Sequence, residues 1–329
     1  MKKLFIAIAA LAAMTSCSQD EVMEVAQKQA ISFGSAFVGN ATRAASATDP
    51  SYYTDGVEGH IQLEAFNVYG TVNDVNIFNG NEVTKGNAAY GAVWTQAGTP
   101  QYWVPGASYV FDAVVGYSDI DTDNTTGLPT SLTYKIEDQF DMLHNRQTVS
   151  SAAADQGVVA FTFTHLLSKV KFSIVNSTNA AATNYQYVIT NATLTNVYAS
   201  GDYAVPAGTW TYPTATSTYA LDEEFIVSSA ETEVNTNEVL LIPGSAVGIS
   251  FTVELQTKDA DGEWQTVSSE DKTYTAVLGE NNVLVANNAY HFILEVGIGG
   301  IIEFTATEMP EWTIVDDITV DNITDPALN

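Results

Sequence analysis

An all-β protein is what this sequence predicts, and three observations carry that expectation. Short runs rich in Thr, Val, Ile, Tyr and Phe recur along the chain, Gly, Pro, Asn and Asp punctuate them, and no segment of comparable length has a helical period. Period-two alternation appears in most of the runs. In Val170-Lys171-Phe172-Ser173-Ile174, the Val, Phe and Ile side chains share one face and Lys and Ser the other, as a half-buried antiparallel strand requires.

Ahead of the strands the sequence reads as an export signal, either of a lipoprotein or of an ordinary secretory protein with an incidental cysteine. Lys2 and Lys3 precede the apolar run LFIAIAALAAM over residues 4–14, which has the length of a signal-peptide core and is too short to span a bilayer as a stable helix. The small pair Thr15-Ser16 then leads into Cys17, the single cysteine of the chain. The arrangement resembles a lipobox, with Met14 where Leu is commoner, and the resemblance implies lipid attachment to the Cys17 thiol. The following SQDE resembles tags that carry some lipoproteins to the outer face of the outer membrane. With its one cysteine given to lipid, the chain can form no internal disulfide, so packing and hydrogen bonds must stabilise it.

The strand candidates run in order over residues 31–38, 60–69, 92–95, 109–117, 158–164, 169–175, 192–198, 239–242, 249–256, 264–267, 290–296 and 301–306. In the first, Ile31, Phe33, Ser35 and Phe37 point to one side of an extended strand, which places three large apolar groups against a sheet or groove. The small-residue stretch 40–51 reads as an exposed loop. Asp261-Gly262 between the ninth and tenth candidates is a hairpin turn. A boundary near residues 164–167 divides the body into an N-terminal and a larger C-terminal sandwich, about what this length supports.

Composition narrows the function. The chain has 39 acidic residues against 11 Lys and Arg, a net charge of -28, which argues against nucleic-acid partners and unaided binding to anionic lipid. Its 46% hydrophobic and 11% aromatic content is ample for packed cores. No run after Cys17 approaches the ~20 apolar residues of a membrane helix.

Catalytic chemistry has no recognisable carrier. The four histidines, His60, His144, His165 and His291, have no metal-ligand spacing, and His165 and His291 read as ordinary sheet residues. There is no G-x-S-x-G elbow, P-loop or dinucleotide fingerprint, so no catalytic residue, metal or cofactor is expected. Asp119, Asp121 and Asp123 alternate like the oxygens of a calcium loop, but Asn124 stands for the Gly and Thr130 for the terminal Glu, which favours a solvated loop. Residues 259–263 read better as a hairpin turn than as a second such loop. Trp94, Trp103, Trp210 and Trp264 could stack on sugars if exposed, and alternation favours the core for most aromatics.

Several segments together resemble the fimbrillin family, lipoprotein-derived pilins and related surface proteins: ISFGSAFVGNATRA, YWVPGASYVFDAVVGY, FTFTHLLSKVKFSI, LLIPG, LVANNAYHFILEV and EMPEWTIV, in that order. The resemblance implies two transthyretin-like antiparallel β-sandwiches after a lipoprotein signal peptide. It also bears on Arg43, one of two arginines in the chain with Arg146. Flanked by small residues, Arg43 is either an accessible site for an Arg-specific protease or a surface arginine without a role; family members are matured by cutting after such an arginine, which implies cleavage between Arg43 and Ala44.

Such a cut would remove Cys17, its lipid and the strand carrying Ile31, Phe33 and Phe37, leaving an open groove that templates another chain's strand. A donor is available at the other end, where Ile314, Ile318 and Val320 share one strand parity; the competing reading is a disordered tail, given Asp316, Asp317, Asp321 and Asp325. The expected organisation is a signal peptide over 1–16, a propeptide with the N-terminal strand over 17–43, sandwiches over 44–164 and 165–313, and a tail over 314–329. The expected partners are other pilin subunits by strand exchange, the outer membrane through lipid before processing, and a host or bacterial surface ligand. The alternative is a permanently lipid-anchored outer-membrane adhesin or glycan-binding lipoprotein that does not polymerise.

Overall fold

Alternating side chains give each strand an apolar face that must be covered, and this chain covers those faces by packing sheet on sheet. The computed structural model describes residues 29–38, 52–54, 61–86, 94–150, 157–176, 185–213, 215–221, 225–228, 233–235, 238–275, 283–296 and 302–308. Among them there is no α-helix, and the only helical element is a 3-10 turn at Ile136–Asp138.

The largest sheet contains β1 (Ser32–Val38), β2 (Tyr52–Thr54), β3 (Ile61–Leu63), β4 (Ala65–Val72), β5 (Val75–Lys85), β6 (Trp94–Gln96), β7 (Ser108–Val115), β10 (Leu143–Ser150) and β11 (Val158–His165). Their order is β2-β3-β1-β11-β10-β7-β4-β5-β6. A corner falls between β10 and β11, which pair only through Leu143 with His165 and His144 with Thr164. Beyond the corner β10 runs with β7 and β11 runs with β1. The two wings close on one core, in which Phe33 of β1, Phe66 of β4, Phe78 of β5, Phe111 of β7 and Phe161 of β11 meet.

A four-stranded sheet, ordered β15-β14-β9-β8, joins β8 (Asp119–Thr122) and β9 (Pro129–Lys135) to β14 (Ser200–Ala204) and β15 (Thr209–Thr211). It crosses the boundary expected near residues 164–167, because β9 pairs with β14 from Ser131–Ala204 to Lys135–Ser200. A core containing Leu132, Tyr134, Met142, Leu167, Val205 and Ile242 forms beside it. Polar contacts reinforce the junction: the Tyr134 hydroxyl donates to the Leu240 carbonyl at 3.1 Å, the Trp210 indole to that of Leu166 at 3.1 Å, and the Leu240 amide to the Gln139 side-chain oxygen at 2.9 Å.

Two five-stranded sheets form a sandwich in the later part of the chain. One holds β12 (Ser168–Asn176), β18 (Glu233–Asn235), β19 (Val239–Leu241), β22 (Ala289–Val296) and β23 (Ile302–Glu308); the other holds β13 (Tyr185–Val197), β16 (Ser217–Ala220), β17 (Phe225–Ser228), β20 (Gly248–Lys258) and β21 (Trp264–Thr275). Val170, Phe172 and Ile174, expected on one face, all point into the core between these sheets. The hairpin expected at Asp261-Gly262 is present, with Gly262 at φ +85° and the Asp259 amide donating to the Glu263 carbonyl at 2.9 Å.

Candidate functional site

Strand β1 is the inner strand of its wing, held on both sides. It runs parallel to β11, with Ser32 beside Val158, Phe33 beside Val159 and Gly34 beside Ala160, and antiparallel to β3 through Phe37–Gln62 and Val38–Ile61. Its leading end makes a third attachment. Ala30 bridges Tyr102, the Ile31 amide donates to the Gln101 carbonyl at 2.8 Å, and the Trp103 amide donates to the Gln29 carbonyl at 3.0 Å.

Phe33 sits in a nest of rings. Its centroid lies 5.4 Å from that of Phe78, 5.7 Å from Phe111, 6.0 Å from Phe161 and 6.5 Å from Phe66, separations at which aromatic pairs attract beyond simple burial. Ile31 and Val38 are buried as well. Burying three such side chains stabilises by roughly 4.5–9 kcal/mol, comparable with the ~5–15 kcal/mol net stability of a typical domain. The slot is therefore not one that can stand empty at little cost.

Of the expected run of inward residues, Ile31 and Phe33 are buried. The register with β11 shifts between Gly34 and Phe37, a bulge that changes the parity of the strand. Ala36 and Val38 are the buried residues beyond it, and the Phe37 side chain lies outside the described residues. Gly34 also meets its neighbours closely: a Cβ there would stand 2.8 Å from Cγ1 of Val158 and 3.4 Å from Cδ1 of Trp94.

The second arginine, Arg146, is locked into the sheet. Its Nε donates to Oδ1 of Asp112 at 2.8 Å and its Nη2 to Oδ2 at 2.7 Å, while Nε2 of His144 lies 2.8 Å from Oδ1. Asp112 is fully buried. Burial pushes its carboxyl up, but the hydrogen bonds from His144 and Arg146, with the charge of Arg146, outweigh burial and hold it below its ordinary value of 3.8. Arg146 pairs with Asp112 across β10 and β7, so a protease that needs an extended, unpaired segment has no access to it while the sheet is intact.

The remaining candidates separate into two groups. Cys17, Arg43, Ala44, His60, Ile314, Ile318 and Val320 lie outside the described residues, as does the 40–51 loop. The others are placed by the sheets and turns: Asp119 and Asp121, expected in a solvated loop, lie on β8, paired with Thr133 and Ser131 of β9. Oδ1 of Asp123 accepts the Thr125 and Thr126 amides at 2.9 and 2.7 Å, and that of Asp259 accepts the Asp261 and Glu263 amides, both at 2.9 Å, so both carboxylates close turns. Nδ1 of His165 lies 2.7 Å from Oδ2 of Asp141, and Nε2 of His291 2.5 Å from the Ser173 hydroxyl. Trp94 and Trp103 are core residues; Trp210 is half-buried, and Trp264 lies under the Lys258 ammonium, 5.0 Å from the ring centre. Sequence reasoning missed the 101–103 segment as a partner of β1, because pairing across seventy residues leaves no local signal.

A fimbrillin-like family model matches residues 23–312 of the chain. Among solved structures, a fimbrial protein from Bacteroides vulgatus is similar at a TM-score of 0.54 and 13% identity, over 74% of this chain and 91% of that one. Candidate cell adhesion proteins from Bacteroides uniformis and Bacteroides ovatus are each similar at a TM-score of 0.50, the first at 18% identity over 85% of this chain and 96% of its own, the second at 17% over 88% and 99%. No curated protein matches.

Proposed function

Because the chain belongs to the fimbrillin-like family, we propose that it is a pilus subunit exported as a lipoprotein on Cys17, cut between Arg43 and Ala44, and assembled by strand exchange at the slot β1 vacates. The observation that carries this reading is the placement of β1. It lies wholly ahead of Arg43 in sequence, fills an inner slot of the sheet, and contributes Phe33 to the aromatic core. A strand parallel to its neighbour is not joined to it by a hairpin, so β1 can leave with its slot keeping the shape of an extended strand.

In this reading the precursor is capped by its own strand and cannot polymerise. Processing discards the cap with the lipid, and the exposed slot accepts a strand from another subunit, whose backbone takes over the ladder to β11 while its side chains fill the Ile31 and Phe33 positions. The segment holding Ile314, Ile318 and Val320 is the proposed donor. The role is structural rather than enzymatic, at the cell surface, and places this protein at the stalk or tip of a fimbrium. A permanently anchored adhesin or glycan-binding lipoprotein would keep Cys17 and β1.

Arg43→Ala tests the proposal. The variant should accumulate as a lipidated precursor and form no polymer when surface material is examined by electrophoresis without boiling. Polymer formed as well as by the unsubstituted chain overturns the proteolytic part of the reading.

A further inference from the structure

We infer that β2 and β3 form a clasp that is ordered only by whatever strand occupies the β1 slot. In the mature subunit the incoming strand of a neighbour would therefore set the order of this subunit's own N-terminal arm. The inference rests on the strand-exchange reading and adds a second surface to it.

The sheet order places the two strands beyond β1. Among the described residues β3 pairs only with β1 and β2, and β2 pairs only with β3, through Tyr52–Leu63, Tyr53–Gln62 and Thr54–Ile61. Both follow Arg43 in sequence, so both stay with the subunit when β1 departs. Their strand-to-strand pairing with the rest of the sheet, however, runs through the departing strand, and beyond it, among the described residues, only the chain at residues 63–64 ties them to the body. Neighbouring strands stand about 4.8 Å apart, so an empty slot leaves β3 about 9.6 Å from β11, beyond hydrogen-bond reach. A lone two-stranded hairpin is marginal in water.

Closing the gap by moving β3 onto β11 does not restore what was lost. β3 has three residues, whereas β1 meets β11 from Val158 to Phe163. The base of β3 is also fixed: Leu63 is buried in the aromatic core, and the Glu64 carbonyl accepts the Lys85 amide at 2.7 Å. The clasp therefore pivots at residues 63–64 and waits for a strand. The occupant that fits is an extended segment of another subunit, with a large apolar group at the Phe33 position, a small residue at the Gly34 position, and free backbone groups facing Ile61 and Gln62. Once seated it has β11 on one side and the clasp on the other, so the clasp acts chiefly on the rate at which the strand leaves.

Hydrogen exchange followed by mass spectrometry tests this on the full-length precursor cut with an Arg-specific protease. Amides of residues 61–63 should be protected before the cut, lose protection by about tenfold or more once the N-terminal fragment has left, and regain it when a synthetic peptide of residues 29–38 is added, while β12 and β22 of the later sandwich stay unchanged throughout. Protection at 61–63 that survives loss of the fragment overturns the inference, as does a peptide that re-protects 158–163 and leaves 61–63 exchanging. A fragment that stays bound after cutting counts against the processing reading alone. In that case the uncut Gly34→Val precursor decides: its 61–63 amides should exchange faster in step with those of β1, and unchanged protection there while β1 exchanges freely overturns the clasp.

Discussion

Among the described residues two parallel strand pairs interrupt otherwise antiparallel sheets, and they differ in what holds them. In the later sandwich β12 lies beside β22 over eight residues without a break, from Lys169–Ala289 to Asn176–Val296, and β22 is backed by β23 along its other edge. In the first sheet β1 lies beside β11 across a bulge, and is backed by the two-residue ladder to β3. Both pairs feed large aromatic side chains into a core, Phe172 and Phe292 in one, Phe33 and Phe161 in the other. Burial is thus alike while attachment is not. The difference bears on the proposed strand exchange, which requires a strand that contributes to a core and can still separate from the subunit; no hairpin ties β1 to β11.

The sharpest way to break this comparison is to truncate one ring in each pair. Phe33→Ala and Phe172→Ala should each cost about 3–5 kcal/mol in the precursor, measured by urea unfolding. After processing and strand loss, Phe172→Ala should retain its cost and Phe33→Ala should have none; a penalty for Phe33→Ala that persists in the mature subunit means β1 never leaves.

Asp112→Ala removes the partner of a half-exposed arginine and a buried histidine, at an expected cost of about 3 kcal/mol. Because Arg146 lies within the β10–β7 ladder, an Arg-specific protease should cut there only in proportion to the fraction unfolded, in the parent and the variant alike; cutting at Arg146 in the folded variant would mean that the ion pair, rather than the strand, protects the site. Gly34→Val is expected to cost about 1–3 kcal/mol in the precursor by overpacking against Val158 and Trp94, with no effect on the processed subunit.

The smallest effect is that of acid. The Asp112 carboxyl sits below its ordinary value of 3.8 in the folded chain, so the unfolded chain binds its proton first as pH falls. Its contribution to stability is complete above that value and is lost as pH falls through the folded value. Unfolding midpoints of the parent and Asp112→Asn should converge as the pH falls below about 3.8, the ordinary aspartate value; a constant difference would show that Asp112 is not the group responsible.

Most of the sandwich was legible because alternation and turn chemistry are local. β7, β11, β12, β20 and β22 follow from their patterns, and Asp261-Gly262 marks its hairpin. β5 was not legible, because Asn79-Gly80-Asn81 reads as a turn. In the fold, Val68 pairs with Asn81 and Tyr69 with Asn79, so Gly80 at φ +75° is a bulge inside a continuing strand. β10 was hidden by polarity: Asn145, Arg146 and Gln147 look like loop residues until Asp112 is placed opposite Arg146. At the site, Ile31 and Phe33 could be read from their spacing, whereas the parity change at the bulge depends on how β11 and β3 meet the strand. The joining of β9 to β14 across the expected boundary is equally non-local.

The mass of the N-terminal peptide from subunits within surface polymer tests the central claim most directly. The account predicts a chain that begins at Ala44, carries no lipid and lacks residues 29–38. Polymer whose subunits begin at an acylated Cys17, with β1 still attached, would contradict it.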